Sequence, residues 1–69
     1  MRNEKTIASI PELGLVALRK SREYEGRALP EGTTGTVVFA YRDGVAYEVE
    51  FDEPFHCVLT PSRDEIRPV

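Results

Sequence analysis

Apolar side chains occupy every second position between residues 45 and 51 of this 69-residue chain. The apolar set is Val45, Tyr47, Val49 and Phe51, and the intervening and following positions include the carboxylates of Glu48, Glu50 and Asp52. A period of two is typical of a strand with one buried face. Because unpaired carboxylates are costly to bury, the sequence predicts a strand over residues 45–52 whose apolar side faces the core.

A second run of β-branched and aromatic residues, from Gly35 to Arg42, precedes this strand. Asp43-Gly44 joins the two runs, and an Asp-Gly pair between such segments is a strong hairpin signal. We therefore expect residues 35–52 to form one long antiparallel β-hairpin.

Three shorter segments complete the predicted sheet. The apolar run Leu15–Leu18 is the expected first strand. Residues 55–60 are the expected fourth strand, because Pro54 and Pro61 on either side of it cannot donate to a ladder. Residues 67–69 are the expected final strand, which closes the sheet.

The sequence also predicts the connections. Residues 19–32 are charged and contain Gly26, Pro30 and Gly32, so we expect a long loop there. Ser62 and Glu65 have the spacing of a capping box, which predicts a single helical turn just before the last strand.

Together these elements predict an all-β fold, a small SH3-like barrel of about five antiparallel strands with a single helical turn before the last strand. We expect one domain, with a leading segment at residues 1–13 and the barrel at residues 15–69. Closing a sheet in this way removes most unpaired edges, which suits a chain too short for two packed sheets.

The register of the hairpin is open, because its first strand is apolar on both sides. A two-residue turn pairs Arg42 with Val45. In that register Phe39 and Tyr41 point outward and leave an exposed apolar strip. A three-residue turn pairs Tyr41 with Val45 and buries both rings, and hydrophobic economy favours it. A β-bulge would combine the two registers.

A family resemblance is carried by five short segments: Gly35–Val38, Asp43-Gly44, Ala46–Phe51, Leu59-Thr60 and Ile66–Val69. They resemble a family of short bacterial proteins known as domain of unknown function 4926. The resemblance covers residues 15–69 and implies an SH3-like barrel, with no assigned activity and no catalytic residues to carry over. Members often have a polar residue at the position of Phe39, which implies that this position faces outward.

Charge and composition limit the partners. The formal net charge is −3 and the pI is near 5.0, a balance that does not attract phosphate backbones. No apolar run approaches the roughly 20 residues that span a bilayer, and the N-terminal residues lack the apolar core of a secretory signal. A single cysteine fits a reducing cytosol. We expect a cytoplasmic protein with no membrane partner, whose thin core makes self-association a means of stabilisation.

No catalytic or cofactor chemistry is predicted. His56 and Cys57 are neighbours on a predicted strand, so their side chains face opposite ways and cannot form a nucleophile–base pair. The chain has no second histidine or cysteine to complete a zinc site. The Gly32–Gly35 segment lacks the lysine and the helix of a phosphate-binding loop, so a turn entering a strand explains it. We expect no catalytic, cofactor-binding or metal-binding residues and no enzymatic activity.

Two charged groups remain as candidate binding surfaces. The carboxylates of residues 48–53 are expected on a solvated outer face that can steer a basic partner. Basic side chains around Tyr24 suit a nucleic-acid backbone, although acidic neighbours interrupt them. This basic group comprises Arg19, Lys20, Arg22 and Arg27.

The leading hypothesis is a non-enzymatic barrel that binds a protein partner or a second copy of itself. Its predicted binding residues are Phe39, Tyr41, Tyr24, Arg22, Arg27, Glu48 and Glu50. A nucleic-acid-binding accessory module is the alternative, although nucleic acid is the less expected partner of an acidic chain. A third alternative, permitted by the resemblance alone, is an antitoxin-like partner of a toxin.

Overall fold

A computed structural model describes residues 14–42 and 44–69, whose regular structure consists of strands and one 3₁₀ turn. The elements are β1 (Leu15–Leu18), β2 (Arg22–Tyr24), β3 (Arg27–Leu29), β4 (Thr34–Tyr41), β5 (Ala46–Phe51), β6 (Cys57–Leu59), the 3₁₀ turn (Arg63–Glu65) and β7 (Ile66–Pro68). Five strands form an antiparallel sheet in the order β6-β5-β4-β1-β7, and β2 pairs with β3 in a separate hairpin. This order, with the helical turn before the last strand, confirms the predicted all-β class and its SH3-like arrangement.

Most predicted elements lie at or next to their expected positions. β1 coincides with the predicted first strand, and β4 and β5 form the predicted hairpin to within one residue at each end. β7 covers residues 66–68 rather than 67–69. The 3₁₀ turn follows Ser62, whose backbone N–H donates to Glu65 Oε1 at 2.9 Å, as the capping-box spacing predicts.

The prediction of a long loop at residues 19–32 is wrong, because this segment contains the hairpin of β2 and β3. Glu25 and Gly26 at its tip have positive φ angles of 52° and 80°, as a tight two-residue hairpin turn requires. Three-residue strands are too short to show alternation, and glutamate is uncommon in the left-handed region. Gly26 is therefore the one local signal for this hairpin.

The fourth strand is shorter than predicted. β6 covers residues 57–59 rather than 55–60, because the connection from β5 extends to His56. Pairing along β5 resumes after β6, where the Tyr47 N–H donates to the Pro61 carbonyl at 3.1 Å. Pro61 has no N–H donor but still offers its carbonyl, so it ends β6 without ending the pairing along β5.

A β-bulge in β4 combines the two registers that the sequence allows. Near the turn, Phe39 pairs with Glu48 as in the two-residue register, and beyond the bulge Val37 pairs with Val49. The shift of one residue occurs at Val38. Consequently Val37 is buried while Phe39 is 45% exposed. The three-residue register, favoured by hydrophobic economy, is wrong for the half of the hairpin that contains Phe39.

The core lies on the inner side of the sheet. Tyr47, Val49 and Phe51 are fully buried, which confirms the predicted inner side of β5. Val45 does not belong to this set: it is 59% exposed, because it lies in the turn, where its carbonyl accepts from the Arg63 N–H at 3.0 Å. The other core residues are Val16, Leu18, Leu29, Val37, Cys57, Leu59 and Ile66.

Two predicted features fall outside the described residues: the leading segment at residues 1–13 and Asp43 of the hairpin turn. Around Asp43, the Gly44 N–H donates to the Tyr41 carbonyl at 2.9 Å. Across residues 14–42 and 44–69, no helix has the length and apolar character needed to cross a membrane.

Candidate functional site

The outer side of β4 and β5 carries an aromatic pair beside a row of carboxylates. The β-bulge produces this arrangement, because it turns two rings of β4 away from the core while Val37 still faces inward. The Phe39 and Tyr41 rings meet edge to face, with their centroids 4.8 Å apart and an interplanar angle of 74°. We call this surface the acidic aromatic face and define it by Phe39, Tyr41, Glu48, Glu50 and Asp52.

Tyr41 holds Glu48 beside the rings. The Tyr41 hydroxyl donates to Glu48 Oε2 at 2.7 Å, and Glu48 is the cross-strand partner of Phe39. This hydrogen bond to a carboxylate raises the pKa of Tyr41, so the hydroxyl stays protonated and remains a donor. The Glu48 carboxylate is therefore fixed at the edge of the aromatic pair.

His56 holds Glu50 further along the same face. His56 Nε2 lies 2.7 Å from Glu50 Oε2 and 4.0 Å from Asp52 Oδ1. The hydrogen bond with Glu50, more than the charges of the two carboxylates, raises the pKa of His56. Glu50, Asp52 and His56 each offer one atom that could ligate a metal, and these atoms lie within 4.8 Å of one another, a spacing that suits a divalent cation. Glu50 and His56 are hydrogen-bonded directly to each other.

The single histidine of the chain gives a direct test of this contact. We expect an NMR titration of the His56 ring to give a pKa above the ordinary value of about 6.5, and Glu50→Gln to bring it back toward that value. A pKa raised by folding means that the contact stabilises the fold fully below the unfolded pKa and loses this contribution as the pH rises through the folded pKa. The free energies of unfolding of wild type and Glu50→Gln should therefore differ more at about pH 5.5 than at about pH 8.5.

Glu48→Gln is the matched control for this titration, because it removes a carboxylate of the same face that bonds to Tyr41 instead. It should change the His56 pKa much less than Glu50→Gln does. A wild-type His56 pKa at or below its ordinary value, or the same pKa in Glu50→Gln, would contradict the contact.

The predicted binding residues of the charged segment lie on the β2–β3 hairpin and contact the rest of the domain. Arg22 Nη1 donates to Glu65 Oε1 at 3.2 Å, which joins β2 to the 3₁₀ turn. The Arg27 guanidinium carbon lies 3.8 Å from the centroid of the Phe55 ring, and the Tyr24 centroid lies 6.4 Å from the same ring. These contacts explain how a hairpin of two three-residue strands is held in place, and its role in binding stays a prediction.

Cys57, His56 and the Gly32–Gly35 segment, for which the sequence predicts no catalytic or ligand-binding role, lie in the core, on the surface and at the entry to β4 respectively. Cys57 is 3% exposed, and burial raises the pKa of its thiol. His56 beside it is exposed, so the two side chains face opposite ways as predicted. The segment before β4 is the predicted turn, in which the Gly32 N–H donates to the Leu18 carbonyl at 2.9 Å.

The seven predicted binding residues fall into two groups. Phe39, Tyr41, Glu48 and Glu50 share the acidic aromatic face, and Arg22, Tyr24 and Arg27 share the hairpin. Within the described part of the chain, no side-chain hydrogen bond, ion pair or ring contact joins the two groups. The sequence does not predict the roles of Phe55 and His56 as contact partners, because it predicts a strand from residue 55 where the structure has a connection.

The chain was also compared with known proteins. No protein-family model matches it, and neither the curated proteins nor the solved structures gave a significant match. The resemblance to domain of unknown function 4926 therefore stays a prediction that rests on the residues quoted for it.

Proposed function

We propose that the protein is a non-enzymatic interaction module that binds a protein partner through the acidic aromatic face. The exposure of Phe39 supports this most, since 45% of this side chain meets solvent while its ring packs on the half-buried Tyr41. The chain has three Phe and three Tyr residues, so two rings outside the core are a large share of its aromatic surface. Aromatic side chains are enriched in protein interfaces, where a polar rim surrounds them.

The bulge in β4 adds to this argument. A hairpin in the three-residue register would bury both rings and enlarge a small core, whereas the bulge keeps them outside and still buries Val37. Bulges commonly re-aim side chains near functional surfaces. The Tyr41–Glu48 hydrogen bond then orders the Tyr41 ring of this pair.

The partner is either another protein or a second copy of the chain. If the chain acts as an antitoxin, that other protein is a toxin. We further propose a small bacterial protein of the kind known as domain of unknown function 4926, on the strength of the residue resemblance alone. A reducing, cytoplasmic location fits Cys57, which is free and buried.

Affinity capture from the source cell tests the proposal when wild type is compared with Phe39→Ser. We expect wild type to retain a protein that Phe39→Ser loses, because serine removes the apolar contact. Val69→Ser removes another exposed apolar side chain, at the end of the chain, and should retain that protein. NMR spectra of both variants establish that they are folded.

Light scattering separates the two kinds of partner. A wild-type mass of two or more chains that falls to one chain in Phe39→Ser identifies a second copy. A wild-type mass of one chain, together with the same captured proteins for wild type and Phe39→Ser, would overturn the proposal.

A further inference from the structure

We propose that the acidic aromatic face binds a basic, extended segment of another protein that presents arginine side chains at alternate positions. This inference rests on the proposed function and names the chemistry of the partner.

The carboxylates of the face have no lysine or arginine partner among the described residues. Within residues 14–42 and 44–69, Glu48, Glu50 and Asp52 form no ion pair with a lysine or arginine, and their one potentially cationic neighbour is His56. Glu53 follows directly and adds a fourth carboxylate. A surface with this charge attracts a cationic partner and repels an anionic one, which gives specificity and faster association.

The aromatic pair makes arginine the preferred cation. A guanidinium group stacks on an aromatic ring and bonds to a carboxylate at the same time. Phe39 and Glu48 are cross-strand partners, so a ring and a carboxylate lie side by side. Because Tyr41 already fixes the Glu48 carboxylate, the acceptor does not have to be ordered when the cation binds.

A surface hollow of about 210 Å³ adjoins Glu50 and Asp52. Leu15 lines it with an apolar side chain, and Glu53 adds a carboxylate. A long basic side chain fits this hollow, because its methylene stem covers apolar surface while its charged end contacts carboxylates.

The spacing of the carboxylates indicates an extended ligand. Glu48 and Glu50 are two residues apart on β5, so their side chains leave the same side of the strand. Alternate residues of an extended segment are separated by about 6.6 Å, which is the repeat of Glu48 and Glu50 themselves. Arginines at alternate positions therefore match the carboxylates one to one.

The structure favours another protein over a second copy as the source of this segment. Two copies of a chain with a net charge of −3 repel each other at long range. The arginines of the β2–β3 hairpin are already engaged, Arg22 with Glu65 and Arg27 with Phe55.

The test is an NMR titration of the ¹⁵N-labelled chain with the acetylated and amidated peptide Arg-Ser-Arg-Ser-Arg-Ser-Arg. We expect amide shifts centred on residues 39–41 and 48–52, and binding that weakens as the salt concentration rises. The lysine counterpart should bind about threefold more weakly, because an ammonium group gains less from the ring pair. The glutamate counterpart should not bind.

Variants assign the effect to the face. Phe39→Ser should weaken binding of the arginine peptide about threefold and remove its advantage over the lysine peptide. Glu48→Gln and Glu50→Gln should each weaken it about twofold to fivefold. Glu23→Gln is the matched control, since it removes an exposed carboxylate of β2 outside the face and should leave the affinity unchanged.

Two results would overturn the inference: no shifts at low salt, or shifts and affinities that Phe39→Ser and Glu48→Gln leave unaltered. Light-scattering evidence that the face joins two copies would also overturn it. If Phe39→Ser loses a captured protein but the arginine peptide does not bind, the proposed function stands and this inference fails. Binding of the peptide without any loss of capture in Phe39→Ser would instead count against the proposed function.

Discussion

Replacing Gly35 with alanine should destabilise the domain by about 3 kcal/mol or more, enough to leave much of the chain unfolded. A Cβ atom at this position would lie 2.7 Å from Val49 Cγ1, 2.8 Å from Phe51 Cδ1 and 2.8 Å from the Glu50 carbonyl oxygen. Two of these atoms belong to fully buried side chains and the third to the backbone of β5, so none can move aside without disturbing the core. Urea denaturation, monitored by circular dichroism, measures the decrease in the free energy of unfolding.

Gly26→Ala is the matched control for Gly35→Ala. A Cβ at Gly26 meets nothing within 4 Å, so the substitution tests only its positive φ of 80°. We expect a loss of about 1–2 kcal/mol from the left-handed backbone alone. If Gly35→Ala were no more destabilising than Gly26→Ala, the close approach of β4 to β5 would be wrong.

The β4–β5 hairpin was predictable because several local signals agree. Alternation over residues 45–51 identifies one strand and its inner side, and Asp43-Gly44 identifies the turn. The hairpin of β2 and β3 lacked such agreement. Its strands have three residues each, and its position depends on Arg22 and Arg27 reaching Glu65 and Phe55, contacts that no local pattern specifies.

The candidate site was predictable in its residues but not in its geometry. Val37, Val38 and Phe39 are consecutive apolar residues, so hydrophobicity alone fits either side of the strand. The bulge at Val38 determines which of these side chains faces the core. Similarly, the charge of Glu50 is evident in the sequence, but its pairing with His56 depends on the path of the connection after β5.

Phe51→Ala should cost about 3–5 kcal/mol, comparable to the whole stability expected of a domain this small. Phe51 is fully buried, so truncation loses the hydrophobic free energy of burying the ring. It also leaves a cavity that the neighbouring core side chains fill only in part. Because this variant is expected to be largely unfolded, Phe51→Leu provides the measurable comparison. It retains most of the volume and should cost about 1–1.5 kcal/mol.

Phe39→Ala gives this prediction its control, because it removes the same phenyl group from the opposite side of the hairpin. Phe39 is 45% exposed and contacts Tyr41 edge to face, so its truncation should cost less than about 1 kcal/mol. The register near the turn separates the two phenylalanines: in the three-residue register throughout, Phe39 would point into the core with Phe51 and both truncations would unfold the chain. Urea denaturation of the two alanine variants therefore measures the register directly, and equal losses would show that Phe39 belongs to the core and that the acidic aromatic face does not exist.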